Sequence, residues 1–532
     1  MRRISLKACV CGLLAAATAA AGYFAWARHK VVFDDAYITY RYAQNMLAGH
    51  GPIYNLGEHV EGYTNFAWML LVAAGMRLGA DPLEVSRSLG LFSHCAMLFG
   101  VAFAGAWLLL QQGYSRLLVA LPLLALLVVP QAFAAMAGSG LETSFVAALL
   151  AMAGVLLLYA DFSRWQSRAA LSLLLCVAVL TRMDCMISVA AAIAALSVSE
   201  LAARTPWQRA WRPAFFFALP IGVVVLIWSA WRYHFYGDLL PNTFYAKAAS
   251  MSHADAGRAY LVALGRSYPQ VLPFAVLSLI GLGSPHPGAR RAAWFANLTF
   301  AAELAYTVRV GGDFMEYRFA WHQYGLLVLA ALIGLAATSA RSLLSGLAVA
   351  MTALAVSNQP VQIENDFGMQ GLDEMDGFVH VGELVGRRLG ATLPKDTVVS
   401  TTLAGTVAYY SKLTVIDQWG LNDRETARQP FVHFIRGHVK WAALGYLRQR
   451  GVNLYIEHPV LCSCTSPCRE RRANVFVRLG GGQCLRTWYL TPKPELTRHV
   501  CSHPADFVLN RVDCPKPEPS PSEAQAAPAP GG

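Results

Sequence analysis

The sequence predicts a polytopic α-helical membrane protein that ends in a small extracytoplasmic α/β domain. Three observations carry this expectation. Of the 532 residues, 55% are hydrophobic and only 14% are charged, far from the usage of a soluble domain. Apolar stretches near the length that crosses a bilayer recur through the first two thirds of the chain. Beyond residue 359 the pattern changes to short β-rich runs between helical stretches, and cysteines then collect.

The expected spans are 9–27, 88–110, 117–137, 142–160, 213–232, 268–284, 291–309, 321–338 and 342–358. Two half-length pieces, 169–180 and 185–199, flank "TRMD" and bring the total to about eleven membrane segments. The stretch "FAWMLLVAAGMRL" (66–78) is too short to cross and reads as an interfacial helix. Residues 1–21 also fit a secretory signal peptide, with a basic start and "ATAAA". A retained first helix is preferred, because Asp34 and Asp35 follow it at the membrane boundary.

Charge sets the orientation. With the N-terminus cytoplasmic, the inner loops carry Arg2, Arg3, Lys7, Arg116, Arg164, Arg168, Arg204, Arg209, Arg212, Arg290, Arg291 and Arg341, as the positive-inside rule expects. The net charge of +11 is thereby accounted for without a nucleic-acid partner. The outer face receives residues 28–87, 233–267, 310–320 and everything after 359. The expected division is therefore a transmembrane domain at 1–358, whose first outer loop is 28–87, and an α/β domain at 359–514 that is cysteine-rich from 462. The stretch 515–532, with "PKPEPSPSEAQAAPAP", has the composition of a disordered tail.

Cys9, Cys11, Cys95, Cys176 and Cys185 lie in or near apolar helices, where cysteine is a small hydrophobe. Cys462, Cys464, Cys468, Cys484, Cys501 and Cys514 form an even set in an outer tail and read as disulfides. A zinc site using "CSCTSPC" with His458, His499 or His503 is the rival, but its spacing is irregular.

Polar side chains gather at the predicted outer ends of the helices. The first loop holds Asp34, Asp35 and Arg41, then a polar turn with His59, Glu61, Tyr63 and Asn65. "GSGLETS" adds Glu142, "TRMD" adds Arg182 and Asp184, "YGDLLPNTFYAK" adds Asn242 and Lys247, and "GGDFMEYRF" adds Asp313 and Arg318. One cluster at one boundary is the arrangement an active site requires. Structural roles compete for the same residues. Asp34 or Asp35 can cap a helix, Arg182 can pair with Asp184, Arg318 can pair with Asp313 or Glu316, and Lys247 can snorkel.

The motifs "FDDAYITYRYAQNMLAGHGPIYN", "VEGYTNF", "GSGLET", "YGDLLPNTFYAK", "GGDFMEYRF" and "VIDQWGLND" resemble those of the mycobacterial terminal β-(1→2)-arabinofuranosyltransferase family, integral-membrane glycosyltransferases of the GT-C class. The resemblance implies a GT-C-like helix bundle in a bacterial plasma membrane. It also implies a polyprenyl-phosphate sugar as donor, arabinofuranose as the sugar, and an envelope glycan or glycoprotein as acceptor. The cysteine-rich end has no counterpart in it, so the acceptor stays open.

The residues suit such chemistry. In a lipid-phosphate sugar the leaving group is already an anionic phosphate, so no general acid is required. One base must take the acceptor hydroxyl's proton, and cations must hold the departing phosphate. Asp34 or Asp35 is the expected base, and the resemblance favours the first. Arg41, Arg182, Lys247 and Arg318 are the expected phosphate ligands. His59, Glu61, Tyr63, Asn65, Glu142, Asn242 and Asp313 are the expected sugar or acceptor contacts. A divalent cation shared by the two acids is conceivable, but no obligatory metal is expected, because the cations named above can neutralise phosphate. A polyprenyl-linked sugar flippase, or an envelope scaffold or receptor, is the alternative function. A transporter calls for polar groups at mid-depth and often paired half repeats, and a scaffold leaves the acidic pair unexplained.

Overall fold

The structure, a computed structural model, describes Gly22 and residues 31–111, 131–202, 204–247, 252–338, 369–432, 434–465, 472 and 474–515. Nearly all of the expected span 9–27, most of 117–137, all of 342–358 and the tail from 516 onward lie outside the described residues. Two compact units emerge, one comprising Met1–Val379 with Trp419–Trp441 and the other His380–Gln418 with Ala442–Gly532.

The first unit is helical. Phe33, in extended conformation, precedes α1 (Asp34–Leu47), so both acids sit in the first helical turn and neither caps it. Negative charge there is favourable against the helix dipole. Most of α1 is buried, and its tyrosines pack edge-on, Tyr37 against Tyr40 and Tyr42 against Tyr63. The helix expected at the interface, α2, spans Phe66–Arg77. Further helices include α3 (Pro82–Gln111), α4 (Thr143–Tyr159), α5 (Trp165–Thr181), α6 (Met186–Ala202), α7 (Arg212–Tyr236), α8 (Pro287–Val310) and α9 (Tyr324–Ala336).

Among the described residues, three helical stretches are long and apolar enough to cross a membrane: Pro82–Gln111, Met183–Ala202 and Arg212–Tyr236. Shorter apolar helices include Thr143–Tyr159, Trp165–Thr181, Val271–Gly283 and Tyr324–Ala336. This is a multi-pass membrane architecture, but eleven crossings are not established by it. The pieces beside "TRMD" are also longer than the expected half-length segments. Backbone hydrogen bonding carries α5 and α6 through polar residues such as Arg168 and Glu200, where an apolar count stops.

The second unit holds a seven-stranded sheet in the order β2–β1–β3–β6–β5–β7, with β4 also on β6. β1 (Val398–Thr401), β2 (Thr414–Asp417) and β3 (Leu454–Ile456) are parallel and arise from "TVVST", "LTVIDQWG" and "VNLYIEH". Helix Thr406–Ser411 connects the first two, as a parallel pair requires a crossover. Ile416, Ala442, Leu447, Val452 and Tyr455 form a core there. β4 (Leu461–Ser463), β5 (Asn474–Gly480), β6 (Gln483–Tyr489) and β7 (Phe507–Asn510) pair antiparallel in the cysteine-rich part. Disulfides join Cys464 to Cys484 and Cys501 to Cys514, whereas Cys95, Cys176 and Cys185 are free.

Candidate active site

Within the first unit, a cavity of about 240 Å³ collects side chains from widely separated stretches. α1 contributes Asp35, Ile38 and Thr39, positions that share one helix face by their three- and four-residue spacing. The loop before α2 adds Tyr63, Thr64 and Asn65, and the start of α4 adds Glu142. Arg182 stands in extended conformation between α5 and a 3₁₀ turn at Met183–Cys185. The helical break presents Arg182, Met183 and Asp184 to the cavity. Lys247 follows the short helix Asn242–Ala246. Gly311 and Gly312, at φ +89° and +85°, end α8 and turn the chain so that Asp313 lines the wall; these angles suit glycine and few other residues. Tyr317, buried at φ +58°, launches the helical turn that begins at Arg318, a strained conformation for a bulky residue. The returning segment Trp419–Trp441 supplies Leu421, Phe434, Gly437 and Val439.

Most charges in this wall are already paired. Asn65 Nδ2 donates to Glu142 Oε2 at 3.0 Å, and Arg182 Nη1 donates to Glu142 Oε1 at 3.1 Å. Arg182 Nε also donates to Asp184 Oδ1 at 3.1 Å, and Arg318 Nε to Asp313 Oδ2 at 2.7 Å. The pairings expected as structural roles therefore form, and they form in the cavity wall. Among the described charged residues lining the cavity, Asp35 and Lys247 alone make no hydrogen bond or ion pair through their side chains. Burial pushes the Asp35 carboxyl up to about 6, against the pull of Lys247 and Arg318. Burial also lowers the Lys247 ammonium, opposed by Asp313 and Asp35.

Several other expected site residues lie outside the lining. Asp34 is buried at 8% exposure beside the cavity-lining Asp35. Arg41 Nε donates to the carbonyl of Tyr54 at 3.1 Å and so holds the loop. His59 is exposed, with its ring against Phe235. Glu61 is buried in an ion pair with Arg232 at 2.7 Å, and burial raises its carboxyl to about 7 while Arg232 opposes the rise. Asn242 Nδ2 donates to the carbonyls of Gly420, Leu421 and Asp423, fastening the returning segment. Tyr63 lines the cavity with its hydroxyl 3.1 Å from that of Tyr236. Sequence reasoning missed Arg232, although an arginine inside an apolar helix is itself a signal. It also missed Thr39, Tyr306 and the wall from Trp419–Trp441. Among the described residues, no group of three or more His, Cys, Asp or Glu side chains is placed to hold a metal ion.

The fold and this polar cavity define the class, a multi-pass membrane protein with the GT-C architecture. The chain aligns over 90% of its length, and 98% of the other chain, with the crystal structure of ArnT from Cupriavidus metallidurans bound to undecaprenyl phosphate, at TM-score 0.51 and 12% identity. The apo state of that protein matches over the same shares at TM-score 0.50.

The chain is also similar in sequence to two terminal β-(1→2)-arabinofuranosyltransferases. It is 28% identical to the Mycobacterium tuberculosis protein over 337 residues, 57% of this chain and 52% of that one. It is 39% identical to the Corynebacterium glutamicum protein over 95 residues, 16% of this chain and 13% of that one. The match thus spans about half the length of the mycobacterial relative. A domain of unknown function, DUF8728, matches residues 373–494.

Proposed function

We propose that this protein is an inverting glycosyltransferase that moves a sugar, arabinofuranose by analogy with its homologues, from a polyprenyl-phosphate donor to an envelope glycan or glycoprotein. The observation that carries the reading is the pair of uncommitted opposite charges, Asp35 and Lys247, on one cavity. Asp35 accepts the proton of the acceptor hydroxyl. The acceptor oxygen then bonds to the anomeric carbon as the carbon–oxygen bond to phosphate breaks, and the electron pair leaves with the polyprenyl phosphate. Attack opposite the leaving group inverts the anomeric centre. Lys247 takes the phosphate, with Arg318 and Arg182 adding positive potential where charge develops.

A carboxyl near 6 is a better base at neutral pH than an ordinary aspartate and is still ionised there. Three cations at the cavity make an obligatory metal unnecessary in this scheme. Glu142 and Asp313 hold the arginines, Asn65 braces Glu142, and all three face sugar hydroxyls in this reading. In this reading the N-terminus is cytoplasmic, the cavity faces outward, and the α/β domain, expected at 359–514, is periplasmic.

The test is direct. Purified protein supplied with polyprenyl-phosphate arabinofuranose and an arabinan acceptor should release polyprenyl phosphate and extend the acceptor, with or without a chelator. No release from any pentose donor contradicts the proposal.

A further inference from the structure

Arg232 lies near the end of α7 with 1% exposure, an arginine in a helix that is otherwise largely apolar. Its guanidinium reaches three separate stretches of chain. Nε lies 2.7 Å from Glu61 Oε2, Nη1 donates to the carbonyl of Leu239 at 3.1 Å, and Nη2 lies 3.4 Å from the sulfur of Met183. The face of Trp228 covers it at 3.8 Å. Neither Arg232 nor Glu61 lines the cavity, yet their neighbours do: Gly62 and Tyr63 after Glu61, Met183 itself, and Leu240 and Pro241 after Leu239. The amide of Asn242 donates to the carbonyl of Glu61 at 2.8 Å and ties the first stretch to the third.

For stability alone this is a poor choice of groups. Two buried charges lose hydration, and an apolar pair of similar volume is often as stable or more so. What an apolar pair cannot do is fix three chains in one register, whereas a planar guanidinium with several directed donors can.

We propose that Arg232 is a positioning residue: by gripping Glu61, Met183 and the Leu239 carbonyl together, it sets the spacing of three cavity walls and so the alignment of donor and acceptor on Asp35. The proposal rests on the transferase reading above. It predicts that fold and alignment can be separated.

The experiment compares the wild type with Arg232→Met, the double variant Glu61→Met/Arg232→Met, and Arg232→Lys. The single Met variant strands a buried carboxylate and should melt far below the wild type. The double variant should recover the melting temperature but transfer arabinofuranose about a hundredfold more slowly, the scale expected of misaligned reactants. Arg232→Lys, which keeps the charge but not the fork, should fold and show the same deficit, so the test does not depend on the double variant folding. A second readout needs no turnover. Thr39→Cys, buried at 2% exposure on the cavity wall, should react with a water-soluble maleimide several-fold faster in the folded variants than in the wild-type background. Folded variants that match the wild type in both transfer and labelling overturn the inference. A wild type that never releases polyprenyl phosphate sinks the transferase reading instead, and the labelling rates alone then decide the role of Arg232.

Discussion

Asp35 and Lys247 face one cavity, each without a direct hydrogen-bonding or ionic side-chain partner among the described residues, while the arginines beside them are held by Glu142, Asp184 and Asp313. An uncommitted ammonium in a water-poor wall lacks the compensation that buried charges ordinarily find. It follows that Lys247 should matter to the donor. Lys247→Met should lower kcat/KM for the polyprenyl-phosphate sugar by about two orders of magnitude, as removal of a charge-stabilising donor does. Lys247→Arg should retain most of the rate. A lysine that merely reaches for the membrane surface predicts no change in either variant, and donor titrations will tell the two apart.

The raised carboxyl of Asp35 gives a pH signature. The base works only when ionised, so kcat/KM should hold above about 6 and fall tenfold per pH unit as the medium is acidified below it. The midpoint belongs to the free enzyme. An acid limb near the ordinary value of 3.8 contradicts the environment described for Asp35, provided the protein stays folded through the titration.

Gly62 allows the returning segment to close on the first loop. A Cβ there would stand 2.0 Å from Asn422 Oδ1 and 2.8 Å from the carbonyl of Leu421, which lines the cavity. Gly62→Ala should cost about 1–3 kcal/mol, as overpacking does, and should depress transfer by displacing that wall. Adding Asn422→Ala relieves only the side-chain clash and should restore the melting temperature in part. An unchanged melting temperature and rate in Gly62→Ala would show that the two stretches do not pack as described.

The staples of the second unit are separable from the chemistry. Peptide mapping without reductant should recover Cys464 joined to Cys484 and Cys501 joined to Cys514. Reduction should weaken the unit by about 2–4 kcal/mol per bridge and leave membrane insertion intact. Free thiols at these four positions in oxidised protein are the contrary result.

Much of this was legible in the sequence, because charges at the ends of apolar runs are conspicuous. Asp35, Glu142, Arg182, Lys247, Asp313 and Arg318 were all singled out and all line one cavity. Which acid faces it was not legible. Asp34 and Asp35 differ by about 100° around the helix, and the outcome depends on where α1 starts relative to the rest of the bundle. Arg41 and Asn242 look like ligand contacts in a list of polar residues. The fold places Arg41 on the carbonyl of Tyr54 and Asn242 on those of Gly420, Leu421 and Asp423. The return of Trp419–Trp441 to the membrane unit leaves no compositional mark, since its aromatic and apolar residues suit a soluble core equally well. The strands of the cysteine-rich part were not legible because "NVFVRLG" and "QCLRTWY" lack a two-residue alternation: the first four residues of β5 are all buried.

The role of Asp35 as base is tested by single-turnover transfer in Asp35→Asn, with Asp34→Asn as the comparison. Asparagine keeps the size and much of the hydrogen bonding of aspartate but cannot take the proton. Asp35→Asn, folded and still binding polyprenyl phosphate, should transfer about two to four orders of magnitude more slowly than the wild type. Asp34→Asn, altered outside the cavity lining, should lose less. Transfer by folded Asp35→Asn at close to the wild-type rate would contradict the mechanism, whatever Asp34→Asn does.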